Sequence, residues 1–138
     1  MALRSIKIKN PNAVNIIMGQ SIDSHLLDVL NRTLAGSHPD LRYGLTFNEP
    51  FRRISTGTDM SLLALAKLNA EKIGVGDFFV LVVDHQIPVE ILKTIKSVQA
   101  ISDIYCATSK SVEIIVKESA ENTMVIGVVD DYKSREVN

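Results

Sequence analysis

Four carboxylates stand where apolar segments of this sequence run out. Glu49 follows Leu45-Thr46-Phe47, Asp84 closes the run Phe78–Val83, and Asp130 with Asp131 follows Val125–Val129. Ligands tend to bind at strand ends in open α/β sheets. Acids placed there can hold Mg²⁺ beside substrate phosphates or take the proton of a reacting hydroxyl. The competing reading is that strands surface at their ends and acids belong on surfaces. Just beyond Asp84, Pro88 suits the first turn of a helix, where its missing N–H leaves nothing unpaired. The free N–H groups of that turn attract anions. Glu90 lies in the same turn and opposes a phosphate there.

Other chemistries are poorly served. His25, His38 and His85 have no metal-ligand spacing among themselves or with Cys106. His25 and His38 read as surface residues, and His85 as a solvated loop residue or a catalytic neighbour of Asp84. Cys106, the single cysteine, lies in an apolar stretch without a neighbouring cation to lower its pKa, so it reads as a small core residue. Gly74-Val75-Gly76-Asp77 follows a helix and precedes a strand. A dinucleotide fingerprint has the reverse order, and no G-x-x-x-x-G-K-[ST] cradle is present. No metal site is expected from these residues alone.

The elements that must carry these groups follow from periodicity. Ile6 and Ile8 alternate with polar residues as in a half-buried strand, and a second strand over 13–20 is stopped by Gly19. Leu26, Leu27, Leu30 and Leu34 share one helical face, with Asp23 or Ser24 as cap and Gly36 as stop. A strand over 41–49 and a polar loop, with room for a short strand, lead to a helix capped by Thr58 or Asp59 and ended by Gly74. The unbroken apolar run Phe78–Val83 predicts a strand buried on both faces. Ile91, Leu92, Ile95 and Val98 form the buried face of a third helix, and three strands close the chain. The expectation is one α/β (α+β) domain over residues 1–138, with a mixed sheet, about three helices and the order ββαβαβαβββ.

Composition sets limits on partners. The chain has 138 residues, 46% apolar and 22% charged, which is enough for one core and too short for two ordinary domains. Net charge is −1, the basic residues are scattered along the sequence, and aromatics make up 5% without tryptophan. That argues against nucleic acid as a partner. The apolar run at 78–83 is far too short to span a bilayer, and the N-terminal stretch lacks the apolar core of a signal peptide. A lone cysteine suits a reducing compartment, so a cytoplasmic location is expected.

Three strings of this sequence, NIIMGQ, IPVEILKTIKSVQAISDIYCAT and VIGVVDD, resemble the adenosine-specific kinase family of small archaeal and bacterial proteins. Family members carry Gly-Gln after an early strand, matched by Gly19-Gln20, and F-P-I-N-V-L-N-A-I-K, matched at Pro88, Leu92, Ile95 and Lys96. Their C-A-T-A-N-P is met by Cys106-Ala107-Thr108, and their G-V-V-D-G by Gly127-Val128-Val129-Asp130. The resemblance covers nearly the whole chain. It implies binding of adenosine or AMP, ATP with Mg²⁺ as phosphoryl donor, and a homo-oligomer that is a trimer or built of trimers. It also implies a site in which Gln20, Pro88 and Thr108 contact the ligand, Lys96 meets phosphate, and Glu49 or Asp130 serves as base or Mg²⁺ ligand.

Departures from the family pattern fall in loops and at strand ends. A His-Phe pair is replaced by Ile22-Asp23, the loop E-A-S-G by Glu49-Pro50-Phe51, and a helix Asn by Glu90. After Thr108 stand Ser109, Lys110 and Ser111, and a Gly-Arg-Gly turn has become Asn122-Thr123-Met124. The closing Gly is Asp131. Lys110 is the candidate to stand in for the missing Arg. A retained scaffold with altered loops implies a remodelled site. The alternative to a kinase-like enzyme is a non-catalytic oligomeric binding or structural protein on the same scaffold.

Overall fold

The chain runs β1 (Ala2–Lys7), β2 (Asn15–Ser21), α1 (Leu26–Ser37), β3 (Tyr43–Asn48), β4 (Arg53–Gly57), α2 (Met60–Ile73), β5 (Phe78–Val83), α3 (Val89–Lys96), β6 (Ile101–Thr108), β7 (Val112–Glu118) and β8 (Thr123–Asp130). The computed structural model describes residues 2–130 except 22, 24 and 85–88. His85, Pro88 and Asp131, singled out above, therefore lie outside the described residues. The fold is α+β with three helices, as expected, and the polar stretch after Phe51 does form a short strand, β4.

The strands form two sheets rather than one: β4-β3-β5-β2-β6 and β1-β7-β8. Every ladder is antiparallel. The β–α alternation in the sequence is nonetheless real. β2 and β3 run the same way and are joined through α1, but β5 is inserted between them, antiparallel to both. In the same manner β3 separates β4 from β5, and β2 separates β5 from β6. Each helix thus makes a split crossover.

β5 lies at the centre of the larger sheet with all six residues buried. Burying one such side chain contributes about 2 kcal/mol before chain entropy is set against it. Its alternate residues feed two cores. Phe78, Val80 and Val82 pack with α2 and with Ile6, Ile8, Ile114 and Val116 of the smaller sheet. Phe79, Leu81 and Val83 pack against α1 and α3. The result is three layers with the five-stranded sheet in the middle.

Local signals were followed in some places and overridden in others. Asp59 caps α2, its carboxylate accepting from the Leu62 N–H at 3.0 Å, and Gly74 ends that helix with φ of 64°. Gly36 does not end α1, because the helix continues to Ser37 and the His38 N–H donates to the Leu34 carbonyl. Gly19 does not stop β2 either. A Cβ there would lie 2.3 Å from the Asp103 carbonyl oxygen and 2.7 Å from the Phe79 ring, so glycine is what lets β5 and β6 close in on both sides. His38 is half-buried, with Nε2 3.1 Å from the Thr94 hydroxyl, and links α1 to α3. Among the described residues no helix is long and apolar enough to cross a membrane.

Candidate functional site

The end of the larger sheet where β2 and β3 stop and β5 and β6 begin carries Gln20 and Glu49. Gln20 pairs with Phe78 on one side and Asp103 on the other. The register then slips: Gly19 faces Ile104 while Met18 faces Cys106, leaving Tyr105 unpaired in a bulge. The bulge redirects Tyr105, as such features do. Its ring stacks on Phe78 with centroids 5.9 Å apart, and its hydroxyl donates to Gln20 Oε1 at 2.7 Å. Burial, and then the charge of Asp103, push the Tyr105 pKa up, so the phenol stays a donor. That fixes the Gln20 amide with its NH₂ unpartnered among the described residues and open to a ligand acceptor.

Two strands away, a tight turn joins β3 to β4. Asn48 anchors it: its Nδ2 donates to the Ala70 and Val75 carbonyls at 2.9 and 3.1 Å, and its Oδ1 accepts from Arg53 Nε at 2.8 Å. Next in sequence, Glu49 is largely shielded and accepts from Arg52 Nε at 2.6 Å. That contact raises the Arg52 pKa further. Phe51, at the tip of the turn, is fully exposed. Glu49, Phe51, Arg52, Arg53 and Gly76 line a cavity of about 310 Å³. It combines an aromatic face for a base, two guanidinium groups for phosphate and a carboxylate. The backbones of Gln20 and Asn48 are separated by β5 alone, about 10 Å at ordinary strand spacing.

Lys96, exposed at the last position of α3, lies toward the same sheet end but on the side covered by α1 and α3. Thr108 and Asp130 lie at the opposite end. Thr108 pairs with Ile16, four residues before Gln20 on β2, about 13 Å away along the strand. Its hydroxyl accepts from the Lys110 N–H at 3.0 Å and so helps form the β6–β7 turn. Asp130 pairs with Val112 just past that turn. Within one chain, then, Gln20 and Glu49 share one end of the larger sheet, though Gln20 is not among the residues lining the Glu49 cavity, and Thr108 and the Asp130 backbone lie toward the other end. Lys110 precedes Val112, whereas Asn122-Thr123-Met124 lies at the far end of the β7–β8 hairpin. Within one chain it does not take the place of an arginine in that turn.

The second end also carries a polar cluster. Asp59, besides capping α2, accepts from Ser61 Oγ at 2.7 Å and from Arg42 Nε at 3.0 Å. These donors, Ser61 first, hold its carboxyl well below the usual aspartate range. Arg42 is in turn raised by Asp59 and by the charge of Asp84. Arg42, Ser61 and Asp84, with Asn12, line a cavity of about 370 Å³.

Sequence reasoning passed over Tyr105, Phe51, Arg52 and Arg53. Phe51-Arg52-Arg53 directly after Glu49-Pro50 was a legible signal, a ring and two cations in a strand-exit loop. The Tyr105 role depends on a bulge, which has no sequence mark here.

A family model described as adenosine specific kinase matches residues 6–138. The crystal structure of the PH1918 protein from Pyrococcus horikoshii OT3 superposes with a TM-score of 0.88 at 36% identity, covering 99% of this chain and 86% of that one. No curated protein matches the sequence significantly.

Proposed function

Because the chain belongs to the adenosine specific kinase family, we propose that it binds adenosine or an adenine nucleotide and transfers the γ-phosphoryl group of ATP to a ribose hydroxyl. The observation that carries this reading is the cavity where Phe51, Arg52, Arg53 and Glu49 meet at the sheet end that bears Gln20. Phe51 offers a face on which adenine can stack. The Gln20 amide, oriented by Tyr105, donates to a ligand acceptor, and Arg52, Arg53 and Lys96 are the cations for phosphate.

In the transfer, the hydroxyl oxygen bonds to the γ-phosphorus as the bond from that phosphorus to the β,γ-bridging oxygen breaks. ADP leaves with that electron pair. The hydroxyl proton passes to Glu49 or Asp130. Glu49 Oε2 is held by Arg52, and its other oxygen has no partner among the described residues. Such a hard oxygen suits Mg²⁺ as well as a proton. Mg²⁺ carried by the ATP phosphates would be held here by Glu49 and would neutralise charge developing on the transferred phosphoryl group.

Thr108 and Asp130 join this site from a second copy of the chain. The contact is head-to-tail, one end of the larger sheet meeting the opposite end of the neighbour, which is the kind that closes into rings. A homotrimer is the assembly proposed. The second reading, a binding protein without turnover, is favoured by the Glu49–Arg52 pair, since one oxygen of that carboxylate is already engaged by a guanidinium.

Calorimetry with adenosine and AMP, together with assay of adenosine-dependent ADP release, tests both. The kinase reading expects saturable binding and turnover, with Glu49→Gln lowering kcat by about 100-fold while binding persists. Binding without turnover selects the second reading. No binding at millimolar ligand removes both.

A further inference from the structure

Lysines that are scattered in the sequence gather in space on the far side of α2. Lys7, at the end of β1, and Lys9 flank the buried Ile8. Lys72 arrives from the last turn of α2. These three, with Asn10, Ser111 and Glu113, line a cavity of about 410 Å³. Asn69, buried on α2, grips the backbone at Lys9 twice, accepting from its N–H and donating to its carbonyl, both at 2.9 Å. One turn on, Lys72 Nζ donates to the Lys7 carbonyl at 2.6 Å. The cleft is therefore held from both walls, and the Lys72 ammonium keeps further protons to donate.

Charge in this cleft is poorly balanced. Three lysines and one carboxylate line it, that of Glu113, which stands opposite Lys7 in the β1–β7 ladder, in a chain whose net charge is −1. Glu113 is engaged elsewhere, accepting from Ser5 Oγ at 2.8 Å. Among the described residues no ion pair involves Lys7, Lys9 or Lys72. Lysine on an edge strand discourages unwanted strand pairing, and a lysine near a helix C-terminus complements its dipole. Those roles account for Lys7 and Lys72 one at a time. They do not account for convergence with Lys9 on a single concave surface, where like charges repel until an anion sits among them.

We propose that this cleft binds the phosphate chain of a small molecule, the three ammonium groups meeting its oxygens. The site is independent of the nucleoside reading above. The probe is sodium tripolyphosphate, titrated by calorimetry into the full-length protein at low and high salt. Saturable binding is expected that weakens as salt rises and falls at least tenfold in the Lys7→Ser/Lys9→Ser variant. The charge-matched surface variant Lys67→Ser/Lys93→Ser should bind as the wild type does. Absence of binding by the wild type at low salt overturns the proposal, as does undiminished binding by the Lys7/Lys9 variant. If ATP displaces tripolyphosphate, the site takes the phosphates of a nucleotide. If it does not, the site takes free oligophosphate. Adenosine, lacking phosphate, reports on the nucleoside site alone, so the two readings fail separately.

Discussion

Two buried or capping polar side chains show how single residues hold the frame of the site. Asn69 is inaccessible to solvent and satisfies both backbone groups of Lys9. Asn69→Leu leaves that N–H and carbonyl without partners beneath the segment linking β1 to β2. It should lower stability by about 2–4 kcal/mol, read as a shift in the urea midpoint at unchanged slope. Asp59 makes a prediction in pH. Its folded carboxyl ionises at lower pH than an unfolded aspartate, because Ser61, the Leu62 N–H and Arg42 all stabilise the anion. A depressed folded pKa gives stability that is fully present above the unfolded value of about 4 and is lost as pH falls below it. Asp59→Asn keeps a cap but removes the titration. Urea midpoints measured between about pH 5 and pH 2 should therefore fall more steeply for the wild type than for the variant, and parallel curves would assign no acid sensitivity to this group.

At the scale of elements, α2 against the larger sheet depends on one glycine. A Cβ on Gly44 would lie 2.3 Å from the backbone of Leu63, so the helix can approach β3 only because that position is bare. Gly44→Ala should cost about 3 kcal/mol, since backbone cannot yield as a side chain can. Gly127 on β8 has open space where a methyl would go, with nothing within 4 Å, and Gly127→Ala should leave the thermal midpoint of the isolated chain almost unchanged. The same elements show what could be read in advance. The Phe78–Val83 strand was legible because burial on both faces demands an unbroken apolar run, and α2 because its cap and its left-handed stop are local devices. Strand direction was not legible. β2-α1-β3 has the periodicity of a parallel unit, and only long-range pairing inserts β5 between its strands. Which candidate residues share an end of the sheet was not legible for the same reason. A strand exit flagged Glu49 and the family resemblance flagged Gln20, but which exits share an end follows from sheet order, and sheet order set Thr108 and Asp130 at the other end.

The molecule as a whole presents a surface that a lone chain leaves unused. β8 is an edge strand of the three-stranded sheet, and its Met124, Ile126 and Val129 are 47%, 50% and 51% exposed. Leu3, on the opposite edge strand β1, is also exposed. An apolar edge strand is a hazard to a solitary protein and is ordinarily covered or charged. The same strand ends at Asp130, which the proposed function brings to the Gln20–Glu49 end of a neighbouring copy. Under the proposed function, one neighbouring copy would both cover β8 and complete the site. Ile126→Lys tests the two together. The side chain is half exposed, so the substitution leaves the described cores intact while placing a charge at the proposed contact. Light scattering should show an oligomer for the wild type and a monomer for the variant. Calorimetry should show adenosine affinity weakened at least tenfold in that monomer, because Thr108 and Asp130 then no longer reach Gln20 and Glu49. A wild-type monomer, or a variant monomer that binds adenosine as tightly as the parent, would remove the shared site and return the whole of binding to one sheet end of one chain.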